Sequence, residues 1–241
     1  MNFPVGPLVN AAAIIGGALC GATLGAKLPE RVRANLPTLF GLLSTGLGVM
    51  AVPKVQYYAA VSLSAVIGTA LGEWFNIEKG ISTTVTATRS YAEKLLPTKG
   101  DMSAEKFVEN YVSLVVLFCV SGMGIFGAMQ EGMTGDPSIL YIKSILDVFT
   151  AMIFAIGLGM MVAFIAIPQT LLQLILFFLA ALIVPLTTPA MRADFTALGG
   201  LMMLMTGFRI MGIKSFPVAN MLPGLLLVMP ISHFWAEFIA H

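Results

Sequence analysis

From Ser138 to Leu186 the chain is almost continuously apolar, and no other feature limits its fold as much. A membrane-spanning helix needs about 20 residues, so this stretch has room for two. It breaks either at Gly157-Leu158-Gly159 or at Ile167-Pro168-Gln169, since both Gly and Pro punctuate helices. Only Lys143 and Asp147 bring charge into it.

Further apolar runs cover Leu8 to Ala26, Leu36 to Val52, Tyr57 to Phe75, Phe107 to Met129, Phe195 to Met211 and Phe216 to Ile239. The last carries Pro217, Pro223 and Pro230 and is expected to be kinked or broken. The expected fold is an all-α polytopic membrane bundle of about eight transmembrane helices, forming one domain over residues 1–241. Composition agrees. Apolar residues make up 58% and charged residues 10%, against about 45–50% and about 25% in soluble domains. So little charge cannot solvate a surface. The net charge of +1 gives no pull on nucleic acid. No Lys or Arg stands between Met1 and Gly16, so a secretory n-region is not expected.

Residues Asn76 to Lys106 form the long polar segment. Ile77, Ile81, Val85, Ala92, Leu95 and Leu96 are spaced loosely like one helical face. They predict a cytoplasmic, partly amphipathic connector, with a plain linker as the alternative. Lys and Arg set the orientation. With eight spans, Lys27, Arg31, Arg33, Lys79, Arg89, Lys94, Lys99, Lys106, Arg209 and Lys214 share one side. Lys54 and Arg192 fall on the other. That bias predicts both termini outside the cytoplasm.

Two internal echoes stand out. Gly16 to Ala22 resembles Gly122 to Ala128, and Ser44-Thr45-Gly46 resembles Met205-Thr206-Gly207. In each pair the helices would run in opposite directions, as inverted-topology repeats require. Chance likeness among glycine-rich helices is the competing source.

Asp136-Pro137-Ser138 reads as a helix start, with Asp136 as cap and Pro137 in the first turn. At 1.5 Å per residue, Lys143 lies ~10 Å and Asp147 ~16 Å from that cap. Ionisable groups so deep face a bundle interior or a wet cavity. They make a self-neutralising packing pair or a site for a solute, ion or proton. Asn10 and Asn220 need polar partners in lipid, and are either packing glue or further ligands. Gly17, Gly21 and Gly25, like Gly68 and Gly72, repeat every four residues. This spacing lets helix backbones touch, within the chain or in a homodimer. Cys20 and Cys119 are read as small buried side chains. Gln130 and Glu131 are read as marking a helix end. His233 and His241 are the two histidines, and Ser232, His233 and Glu237 cluster near the C-terminus. The sequence has no phosphate loop, no Gly-x-Ser-x-Gly elbow and no metal-ligand spacing. It is therefore read as non-enzymatic, without cofactor or metal.

Several segments together resemble one family: Leu8 to Gly17, Leu117 to Gly132, Gly135 to Ser138, Lys143 to Asp147 and Met211 to Lys214. They are similar to the YqgA/YdfK-like bacterial inner-membrane proteins, a domain of unknown function. The resemblance implies an inner-membrane location and a polytopic architecture, and little about activity. Ser121 stands where that family is expected to carry a small apolar residue. The leading expectation is a secondary transporter of a small polar or anionic solute. Lys143 would attract the solute and Asp147 would carry a coupling proton or cation. The alternative is a non-transporting partner or assembly subunit held by a structural Lys/Asp pair.

Overall fold

The structure is a computed structural model. It describes residues 3–24, 29–80, 83, 111, 114–115, 117–119, 121–214 and 216–239. Most of the predicted amphipathic connector, including Val85, Ala92, Leu95 and Leu96, lies outside them, as do Gly25 and Lys27. The described residues contain no strand.

Among the described residues, eight long helices carry the fold: α1 (Val5–Leu24), α2 (Glu30–Ala51), α3 (Tyr58–Trp74), α4 (Gly122–Thr134), α5 (Ser138–Leu158), α6 (Ala166–Ile183), α7 (Pro189–Ile210) and α8 (Leu222–Phe238). Stretches Val5–Thr23, Ser138–Leu186 and Val218–Phe238 are long and apolar enough to cross a membrane, and Thr38–Lys54 is a shorter apolar helix. Outward faces of the helices carry Leu42, Val66, Ile167, Leu171 and Leu182, all exposed, as lipid-facing surfaces require.

The long apolar run divides at the first of its two candidate sites. Gly159 takes a φ of +63°, a conformation that suits glycine, and a 3-10 turn follows over Gly159–Ile165. Pro168 does not break the chain. It sits in the first turn of α6, where its missing N–H costs nothing. The run expected from Phe107 to Met129 is interrupted instead. Residues 111, 114–115 and 117–119 are helical, Ser121 is extended, and α4 begins anew at Gly122. Helices α2 and α7 start about one and a half turns earlier than the hydropathy suggested. Thr188 caps α7, its hydroxyl accepting from Met191 N at 3.2 Å, with Pro189 in the first turn.

Glycine contacts give the helix directions. Gly17 and Gly21 of α1 lie against the backbone of Val148 and Met152 in α5, so these two helices run parallel. Gly41 and Gly48 of α2 oppose Gly207 and Gly200 of α7, an antiparallel pair. Gly68 and Gly72 of α3 oppose Gly224 of α8 and Asn220 just before it. Gly124 and Gly127 of α4 oppose Lys143 and Leu140 of α5. Carried through the remaining contacts, each helix reverses the direction of the one before. The repeated glycines are thus used inside the chain, where backbones meet.

Two groups of four helices emerge. Helix α1 packs on α5 and α6, and α4 packs on α6 and α5. Separately, α2 packs on α7, α3 on α8, and α7 on α8. The groups meet mainly where α4 crosses α7 and where α2 touches α5. Phe126 and Phe195 stack across the first of these contacts at 5.4 Å.

Candidate functional site

Helix α5 carries its charges on the face it buries. Leu140, Lys143, Ser144, Leu146, Asp147 and Ala151 form a buried stripe at helical spacing. Lys143 is 2% exposed and Asp147 8%. The Lys143 ammonium donates to Asp147 Oδ2 and lies 5.5 Å from the centre of the Phe118 ring, a cation–π contact. From α1, Asn10 Nδ2 donates to the same carboxylate oxygen at 2.7 Å.

Helix α6 supplies the rest. Gln169 and Gln173 share its buried face with Phe177 and Ala180. Gln169 Nε2 donates to Asn10 Oδ1 and lies 3.2 Å from Asp147 Oδ2. Gln173 Nε2 donates to Asn10 Oδ1 at 2.9 Å. Gly124 of α4 leaves the space the lysine needs, since a Cβ there would fall 2.8 Å from Lys143 Cε. Three helices therefore bring one ammonium and two carboxamides onto Asp147, with the third carboxamide, Gln173, held on Asn10.

One side of this cluster opens. A cavity of about 540 Å³ is bounded by Lys143, Asp147, Ser121, Thr150, Thr206 and Arg209, with Phe40, Phe118 and Val218 among its apolar lining. Its walls come from both four-helix groups, so it occupies the seam between them. At its far end Arg209 Nη1 donates to Glu78 Oε1 at 2.7 Å and to Phe216 O at 3.1 Å.

The structure brings Asn10, Lys143 and Asp147 together. Asn220 goes elsewhere. It is buried in a 3-10 turn ahead of α8, and its Oδ1 accepts from Glu78 N at 2.8 Å. Asp136 is exposed, just ahead of α5, and does not line the cavity. It does cap, but from one residue further out than expected: its Oδ1 accepts from Ser138 N at 3.0 Å and from the Ser138 hydroxyl. Those bonds, the hydroxyl's first, hold its carboxyl below its ordinary value, with a smaller contribution from Lys54.

The buried polar residues to which the sequence assigns no site role include Gln169, Gln173, Glu131 and Asp194. The glutamines could have been found as a polar pair four apart in an apolar run. Glu131 does not mark a solvated helix end. It is 1% exposed, and its Oε1 accepts from Gly6 N of α1 at 2.9 Å. Asp194 is fully buried. Its Oδ1 accepts from Gln56 N and Tyr57 N at 2.7 and 2.9 Å, and its Oδ2 from the Ser232 hydroxyl at 2.6 Å. Ser232 is thus turned toward Asp194, while His233 lies 3.4 Å from Glu237 on an exposed surface. Cys20 is exposed rather than buried, and Cys119 is half-buried.

A family model described as protein of unknown function (DUF554) matches residues 5–233. The chain belongs to this family. Among DUF554-related proteins, the uncharacterised protein YqgA of Escherichia coli K12 is 50% identical over 236 residues, covering 98% of this chain and 99% of that one. The uncharacterised membrane protein YdfK of Bacillus subtilis 168 is 25% identical over 226 residues, covering 92% and 93%. No solved structure matches. With its apolar helices, this DUF554 chain is a helical membrane protein.

Proposed function

We propose that this DUF554 protein is a secondary transporter of a small anionic or polar solute, with Lys143 and Asp147 at its site. The observation that carries this reading is the cavity at the seam between the two four-helix groups, ending on the buried pair. Carriers bind near the bilayer midplane between structural halves that rock against each other. The break at Ser121 supports an anion. It leaves the first amides of α4 without helical partners at the positive end of the helix dipole, beside Ser121 and Met123 of the cavity wall. Lys143 and Arg209 add cationic character to the same wall.

The reading includes eight spans in the bacterial inner membrane with both termini periplasmic. The alternating helix directions support it, as does the grouping of Arg209 with Glu78 of the connector, against Lys54 near Asp136. The cavity then faces the cytoplasm. Inverted-topology repeats belong to the same proposal. The echoing helices α1 and α4 each pack on a parallel neighbour, and the echoing α2 and α7 pack on each other.

The second reading, a partner or assembly subunit, draws on how little of the pair is exposed. To separate them, purified protein is screened by thermal shift against small carboxylates, phosphates and amino acids. The hits are then followed as flux into proteoliposomes. Lys143→Met/Asp147→Leu is expected to fold and to lose binding and flux. A folded double variant that moves the solute normally would leave the structural reading. A cytoplasmic reporter signal at His241 would remove the eight-span topology.

A further inference from the structure

Two acceptors in the cluster have no donor. Gln169 Oε1 and Gln173 Oε1 are buried without hydrogen-bond partners, although each belongs to an amide whose nitrogen is engaged. The residues are 1% and 2% exposed. Leaving buried carbonyls unmade is costly, so their presence beside a carboxylate asks for a ligand that the resting cluster lacks. That ligand must be attracted by oxygen. Turning both glutamine amides by half a turn exchanges each nitrogen for its oxygen. The centre then offers Gln169 Oε1, Gln173 Oε1, Asn10 Oδ1 and Asp147, an all-oxygen set from three helices, which suits a hard cation. Its formal charge is a single −1 from Asp147. In a buried site one negative charge balances one positive charge, which selects a monovalent ion over a divalent one.

Lys143 already occupies that balance. Its ammonium is held by Asp147, and it also forms part of the cavity wall. We propose that Asn10, Asp147, Gln169 and Gln173 form a sodium-type cation site for which the Lys143 ammonium is the resident competitor. Resting on the carrier reading, the inference assigns the coupling ion. A sodium ion displaces the ammonium from Asp147, and the freed Lys143 turns into the cavity to hold the anionic solute. The cluster stays neutral throughout: Asp147 pairs first with lysine, then with the ion, while the lysine pairs with the solute.

The competition gives the site a signature that a packing pair lacks. Removing Lys143 should strengthen sodium binding, whereas removing Asp147 should abolish it. The experiment uses the purified full chain in detergent, at matched ionic strength in sodium, potassium or choline chloride. Thermal unfolding and binding of radioactive sodium are measured for the wild type, Lys143→Met and Asp147→Asn. Sodium should raise the wild-type unfolding temperature above that in choline. Lys143→Met should bind sodium about tenfold tighter or more, and Asp147→Asn should show no sodium response. If Lys143→Met does not purify, wild-type sodium binding that lysine-like alkylammonium ions fail to weaken, or its absence, overturns the proposal. Sodium binding in Lys143→Met weaker than in the wild type overturns it too. Flux driven by a pH gradient alone, with no sodium binding, removes the cation site and leaves the carrier, making the coupling ion a proton. Sodium binding without any solute flux leaves the site and removes the carrier.

Discussion

The two four-helix groups each bury an aspartate, and they neutralise it differently. In the α2/α3/α7/α8 group, Asp194 receives two backbone amides at the start of α3 and one serine hydroxyl. Two of these three donors are backbone groups, fixed parts of the fold. In the α1/α4/α5/α6 group, Asp147 receives an ammonium and two carboxamide donors. All are side chains with rotatable bonds, and one lines a cavity. The first arrangement ties helix ends together. The second can exchange partners, and it sits where the groups meet. A buried acid alone therefore says little about role; the mobility of its donors says more.

The largest expected effect tests whether the α1/α4/α5/α6 group depends on backbone contact. A Cβ at Gly21 would fall 2.1 Å from Met152 O, which no rotamer relieves. Gly21→Leu should prevent α1 from docking on α5 and abolish folded, monodisperse protein. Gly16→Ala, with open space around its Cβ, should purify normally. Size-exclusion profiles of the two variants check this, and a well-folded Gly21→Leu would show that α1 is not held by this contact.

Next comes the contrast between the acids. Lys143→Met strands the Asp147 charge and should cost about 3–5 kcal/mol, while Lys143→Met/Asp147→Leu should be near neutral or stabilising. Chemical denaturation in choline buffer measures both. Equal losses in single and double variants would mean that the pair is not energetically coupled. Asp194→Asn should cost less, roughly 1–3 kcal/mol, because the amide oxygen can still accept from α3. It should leave any solute or sodium response unchanged, and a lost response would erase the distinction between the groups.

Much of this contrast was hidden in the sequence for physical reasons. Apolar runs announce helices because lipid demands internally satisfied backbones, and Asn10, Lys143 and Asp147 stood out as polar groups inside them. The partner helices were not legible. Nothing in a hydropathy pattern says that α6 rather than α8 covers Asn10, so Asn220 was grouped with a site in the other half of the molecule. Gln169 stands out only as a neighbour of Pro168, and Gln173 not at all, since single amides are diluted in a run whose mean hydropathy stays at 2.4. Glu131 and Asp194 sit near helix ends, where an acid in solvent is commonplace. Only the tertiary fold reveals that each caps a different helix. Ser121 shows the same limit. Its departure from the expected small apolar residue carried no meaning until the helix proved to break there, at the cavity wall.

The smallest effect concerns an acid outside both groups. Asp136 is exposed and caps α5 through Ser138, so Asp136→Ala should cost about 1 kcal/mol, as lost caps typically do. Its carboxyl is held below its ordinary value, first by the Ser138 hydroxyl and then by the Ser138 amide. A group depressed in the folded state binds its proton less readily there than in the unfolded chain. Its stabilisation is therefore fully present above the ordinary carboxylate range and declines as pH falls through its folded value. The wild type and Asp136→Ala should differ at neutral pH and converge in acid. Thermal unfolding of both proteins from pH 7 downward would check this. A gap that widens toward acid would mean that the protonated carboxyl caps α5 better than the charged one, contrary to the hydrogen bonds seen at Ser138.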